Sequence, residues 1–133
     1  MRFAPALVGL AMLTAPPASA QEQCRQDWSK CADNRQLAEN YRQWPTIVSA
    51  CQEAGYAFIA PYGIPNRTPR FNTARFSSYA VGNDYPRTGI AVAAAAGFEY
   101  QDTKGARKSA ALECLYDLRK DRVVEVKFVG RAP

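Results

Sequence analysis

Histidine is missing from all 133 residues, and that absence removes a good deal of chemistry. Without imidazole there is no Ser-His or Cys-His pair to activate a nucleophile, no histidine-based zinc site, and no side chain whose ordinary titration falls near neutral pH. The chain also lacks a Gly-rich phosphate loop, a Gly-x-Ser-x-Gly elbow, a metal-spaced acidic cluster and any Cys-x-x-Cys pair, so the usual nucleotide, hydrolase and redox signatures are absent. No cofactor is expected. Long apolar runs are scarce as well. The main one, Phe3 to about Ala15, falls short of the roughly 20 residues that cross a bilayer.

That short run has a different meaning. Met1-Arg2 stands before it, Ala18-Ser19-Ala20 follows it, and polar Gln21-Glu22-Gln23 comes next. A basic start, a brief apolar core and small residues at the −3 and −1 positions are what a signal peptidase reads. Residues 1–20 are therefore expected to be an export signal, with a mature chain from Gln21 in the periplasm or outside the cell. Cys24 does not directly follow a Leu/Ala/Gly-type box, which disfavours a lipid anchor. Removing residues 1–20 leaves 113 of the 133 residues, the size of one ordinary domain. Losing Arg2 takes seventeen basic residues to sixteen against twelve acidic ones, a net of +4. Such an excess favours an acidic protein or an anionic envelope component as partner, with nucleic acid the weaker reading.

The four cysteines, Cys24, Cys31, Cys51 and Cys114, all lie in the mature part, and an even number in an exported chain reads as disulfides. Cys24 and Cys31 would stand about 10 Å apart along a continuous helix, too far for a bridge. Either that segment is broken or the two are not partners. The favoured pairing is Cys24 with Cys31 across a non-helical or kinked loop and Cys51 with Cys114. Cys31 with Cys51 and Cys24 with Cys114 is the alternative.

Residues 21–54 read as helical. Asp33-Asn34 can cap a start, Leu37, Tyr41, Trp44, Val48 and Cys51 follow at three- and four-residue steps, and Gly55 supplies a stop. Pro45 predicts a kink or a fresh start, and Tyr41 and Trp44 are expected in the core. Residues 55–70 hold Gly55, Pro61, Gly63, Pro65 and Pro69, a density that predicts a long connection without regular structure. A meander over 71–129 is expected after it. Phe71 to Val81 makes a first strand, Gly82 to Pro86 a turn, and Gly89 to Tyr100 a second strand with Ile90, Val92, Ala94, Ala96 and Phe98 on one face. Its small residues would let a helix pack close. Residues 106–118 fit either a strand, with Ala110, Leu112, Cys114, Tyr116 and Leu118 on one side, or a helix. Val123 to Val129 is the clearest strand, with Val124, Val126 and Phe128 alternating with Glu125 and Lys127. A turn at Lys120-Asp121 would join it to 106–118.

Three stretches, Asp27-Trp28-Ser29-Lys30-Cys31-Ala32-Asp33-Asn34, Gly82-Asn83-Asp84-Tyr85 with Thr88-Gly89-Ile90, and Cys114-Leu115-Tyr116-Asp117-Leu118, resemble an uncharacterised group of short exported proteobacterial proteins. The resemblance implies a strand over 107–118 and carries no activity. It also marks the Pro/Arg-rich 61–70 insert as the part where this chain departs from the group.

The fold class expected is α+β: an N-terminal helical segment packed on an antiparallel sheet of about four strands, in a cystatin-like helix-then-meander order, stapled by disulfides. The candidate binding residues are Arg67, Arg70, Arg75, Tyr79, Tyr85 and Arg87, where guanidinium groups interleave with aromatic rings and Asp84 is the single acid within 67–87. Arginine donates to phosphate or carboxylate in a planar fork, and an exposed ring can stack. No metal site and no catalytic residue are expected. The carboxylates Asp84, Glu99, Asp102, Glu113, Asp117 and Asp121 are the only acid/base candidates, and nothing in their spacing selects a pair. A non-enzymatic accessory or binding domain of the envelope is the leading reading. Its rivals are an inhibitor of an exported enzyme presenting loop 55–70, and a carboxylate-dependent hydrolase.

Overall fold

In the computed structural model, residues 19–66 and 85–130 are described, with the side chain of Tyr85 left out. The N-terminal third is built from short helices, each ended for a local reason. Helix α1 (Ala20–Gln26) stops at Asp27, whose carboxylate accepts from the Ser29 amide at 2.9 Å and starts a single 3-10 turn over Trp28–Lys30. That break brings Cys24 and Cys31 to a Cα separation of 4.5 Å, and they are bonded. The favoured pairing and the broken helix it required are both found. Helix α2 (Asn34–Asn40) is capped by Asp33, which accepts from the Gln36 amide at 2.8 Å. Helix α3 (Trp44–Ile59) carries Pro45 in its first turn, where the missing N–H leaves no helical bond unmade.

Two expectations for this region are corrected. Gly55 does not end α3. The buried stripe Trp44, Ile47 and Cys51 runs on through Gly55 to Tyr56 and Ile59, and burying those two side chains outweighs the roughly 1 kcal/mol that glycine costs inside a helix. Nor is 55–70 free of regular structure, because Gly63–Pro65 forms strand β1. The strand expected over 71–81 and the turn at 82–84 lie outside the described residues. Tyr85–Thr88 is a single helical turn, α4.

The sheet is antiparallel, in the order β1-β2-β3-β4, with β2 (Ile90–Asp102), β3 (Arg107–Asp117) and β4 (Arg122–Phe128) joined by tight turns. Residues 107–117 are thus a strand. Its face of Leu112, Cys114 and Tyr116, extended by Leu118, is buried as the alternation predicts. In β2 the expected face is corrected: Ala91, Ala93 and Ala95 point into the core, and a register shift between Ala95 and Phe98 then hands that side to Phe98 and Tyr100. A bulge adds one residue to one strand, so inward and outward exchange across it. β4 does the same at Val124. Leu115 pairs with Glu125 and Tyr116 with Val123, so Val123, Val126 and Phe128 pack on the core while Val124 is 57% exposed.

Helix α3 lies on the core face, tied by Cys51–Cys114 at a Cα separation of 5.9 Å and by Tyr56 against Phe98, ring centres 5.5 Å apart. Tyr41 and Trp44 are buried there, as expected. The molecule is α+β, helices before strands, with two disulfide staples. Among the described residues no helix is long and apolar enough to cross a membrane.

Candidate functional site

A groove opens where β1 meets the β2–β3 hairpin. Gly63 is obligatory here, because a Cβ at that position would collide with the Gln101 carbonyl. This close approach lets Gly63, Ile64 and Pro65 pair with Asp102, Gln101 and Tyr100, and Asn66 then donates its amide to the Glu99 carbonyl at 3.1 Å. On the other side the hairpin turn is held by Asp102, whose carboxylate accepts from the Lys104 and Ala106 amides at 2.9 and 2.8 Å. Between them lies a groove of about 410 Å³, lined by Ile64, Asn66, Glu99, Tyr100, Gln101 and Arg107 among others.

The groove offers mixed chemistry. Glu99 supplies an acceptor, with the Asn66 side-chain amide 3.4 Å away. Arg107 supplies a guanidinium, and Gln101 spans to the Gly105 carbonyl at 3.1 Å. Ile64, 72% exposed, stands as an apolar wall beside these polar groups. Such a surface can hydrogen-bond a polar ligand while seating an apolar edge. Asp102 is the neighbouring carboxylate, and both amides it accepts belong to its own turn.

Of the candidate residues read from the sequence, Tyr85 and Arg87 alone are described. Arg67, Arg70, Arg75 and Tyr79 lie outside the described residues, as does Asp84. Tyr85 opens α4, and Arg87 in the same turn is exposed. That turn precedes β2, whereas the groove uses the far end of β2, a separation of roughly 30 Å at the usual rise per strand residue. Of the remaining carboxylates, Glu113 pairs with Lys127 at 3.5 Å and Asp117 accepts from the Lys120 and Arg119 amides at 3.0 and 2.9 Å. Those hydrogen bonds, the Lys120 amide foremost, hold the Asp117 carboxyl below the usual carboxylate range. Asp121 sits in the same turn with φ of 51°. Among the described residues no group of three or more His, Cys, Asp or Glu side chains is placed to hold a metal ion.

What sequence reasoning missed is a meeting point. The three stretches that carry the resemblance converge, as far as they are described. Leu118 donates its amide to the Gly89 carbonyl at 2.8 Å, the Arg119 guanidinium donates to the Thr88 carbonyl at 2.6 Å, and the same guanidinium lies 5.3 Å from the Trp28 ring centre. Asn34 closes the arrangement by bonding both main-chain groups of Val92, at 2.9 and 2.8 Å. Beside them, the Ser29 hydroxyl and amide hold the Asp27 carboxyl below its ordinary range. The signal for this junction was present as three separate motifs, but their contact could not be read from residue order.

Set against protein-family models, curated proteins and solved structures, the chain finds no match in any of the three.

Proposed function

We propose that the chain is a small exported accessory domain of the cell envelope, non-enzymatic, which binds an anionic partner through the surface around residues 61–87. The observation that carries this reading is the groove between β1 and the β2–β3 hairpin. Its Ile64–Asn66 wall belongs to that segment, whose other described part, Tyr85–Arg87, stands roughly 30 Å away along β2, and Arg107 adds a cation to the groove lining. Residues 67–87 bring four further arginines to the same stretch of chain. Two closed disulfides suit an oxidising compartment. The basic excess suits an acidic protein or anionic envelope component.

The test is salt-dependent retention on a polyanion matrix. The wild type should elute later at low ionic strength, and reversal of Arg67, Arg70, Arg75 and Arg87 together should abolish the retention, since such binding depends on charge and is screened by salt. Weak retention that ignores salt would end the reading. A second reading, inhibition of an exported enzyme, is favoured by one observation: among the described residues β1 is a sheet edge, and its Ile64 is 72% exposed. Under that reading, capture of one stoichiometric enzyme would be lost on Ile64→Asp.

A further inference from the structure

Among the described residues β4 forms the other edge of the sheet, and its sequence is self-complementary. Read outward from Val126, the chain gives Glu125 on one side and Lys127 on the other, then Val124 and Phe128, then Val123 and Val129. The pattern is apolar, apolar, acid, apolar, base, apolar, apolar, so it matches itself when reversed, with the charges exchanged. From Glu125 to Val129, up to the bulge at Val124, the backbone is arranged to use this. Val129 donates its amide to the Ala111 carbonyl at 2.9 Å. Main-chain groups alternate along a strand, so Val129 and Lys127 address β3 while Phe128 and Val126 point their N–H and C=O away from the sheet. Among the described residues no strand lies on that side. Two of the exposed large apolar side chains, Val124 and Val129 at 57% and 50%, flank it.

We propose that β4 is the seat of a twofold dimer, in which a second copy of this chain adds its own β4 antiparallel to this edge, centred on Val126. Charge selects that register. Centring on Glu125 sets Glu125 against the partner's Glu125, and centring on Lys127 sets the partner's Lys127 against its equal, whereas centring on Val126 pairs Glu125 with the partner's Lys127 and the reverse. Lys127 already leans on Glu113 at 3.5 Å, which holds it on the face where the partner's Glu125 arrives. Edge charges and a bulge ordinarily keep foreign strands away. Here the same charges reject generic strands and accept a copy, as an isologous interface requires. The inference does not depend on the anionic-partner reading.

The test is sedimentation equilibrium of the disulfide-bonded protein over a micromolar-to-millimolar series, with circular dichroism as the folding control. Wild type should dimerise, and Glu125→Lys and Lys127→Glu should each raise the dimer dissociation constant about tenfold or more. Mixing the two single variants should give a heterodimer, and the double variant should pair with itself again. Glu125 has no ion-pair partner among the described residues, so Glu125→Lys carries the test alone if Lys127→Glu misfolds beside Glu113. A wild type that stays monomeric to millimolar concentration, or a dimer that Glu125→Lys leaves unchanged, overturns the proposal.

Discussion

Asn34 is the buried polar side chain of the described core, 1% exposed, and its carboxamide stands in for a strand by satisfying both the N–H and the C=O of Val92. An unpaired buried amide or carbonyl costs about 1–3 kcal/mol. Asn34→Ala is therefore expected to lower the unfolding free energy by about 2–4 kcal/mol in urea titration, well beyond the loss of an exposed helix residue. Gly89 presents a second single-residue test. Its φ of +82° disfavours any Cβ, and a Cβ there would also run into the Arg119 guanidinium. Gly89→Ala should cost about 1–2 kcal/mol for the left-handed backbone alone. Moving it into an Arg119→Ala background should remove the collision and leave the backbone part, a difference that a double-mutant cycle reads directly. Neither residue could be weighed from the sequence. Asn34 looked like a helix-start residue, and its partner is 58 positions away.

At the scale of elements, the staples differ in what they hold. Cys51–Cys114 closes a separation of 63 residues and joins α3 to β3, whereas Cys24–Cys31 closes only seven. On loop-entropy grounds the first contributes about 4 kcal/mol and the second about 2–3. The double replacement Cys51→Ser with Cys114→Ser should thus shift the denaturation midpoint further than Cys24→Ser with Cys31→Ser. The latter should instead expose the α1 amides to hydrogen exchange. An export signal cleaved after Ala20 would sharpen this effect, since α1 is capped by Ser19, whose hydroxyl accepts from the Glu22 amide at 3.3 Å. Much of this architecture was legible. The Asp33 cap follows from local chemistry, whereas the fresh start at Pro45, the pairing of the cysteines and the strand over 107–117 were each one of two readings that local chemistry left open. The bulges in β2 and β4 were not legible. Ala91, Ala93 and Ala95 look like Ala94 and Ala96, so Val92 was the one larger side chain to name a face there, and only the tertiary fit of Phe98 against Tyr56 decides which side carries the main core. Three-residue β1 was hidden for a similar reason, since its signal was a glycine and a proline that elsewhere mean loop. The groove built on it was hidden with it.

For the whole molecule, the missing imidazole returns as a pH prediction. Asp27 and Asp117 have carboxyls held below the ordinary 3.8 by hydrogen bonds, from the Ser29 hydroxyl and the Lys120 amide first. Their contribution to folding is present above that value and is lost as pH falls through the lower folded values. The Tyr41 and Tyr116 phenols are held above 10.0, by burial first and then by nearby Asp121. Their contribution is complete below 10.0 and is lost as pH climbs through the raised folded values. Between these limits no histidine titrates, so the urea midpoint should be flat from about pH 5 to about pH 9 and fall on either side. An inflection near pH 6.5 would contradict this. One last property comes from where the long staple sits. Cys51 precedes and Cys114 follows every residue between 67 and 84. A protease that cuts there severs one peptide bond yet releases nothing: the amino-terminal and carboxy-terminal pieces travel as one species through a non-reducing gel, and separate into two bands only once a thiol is added.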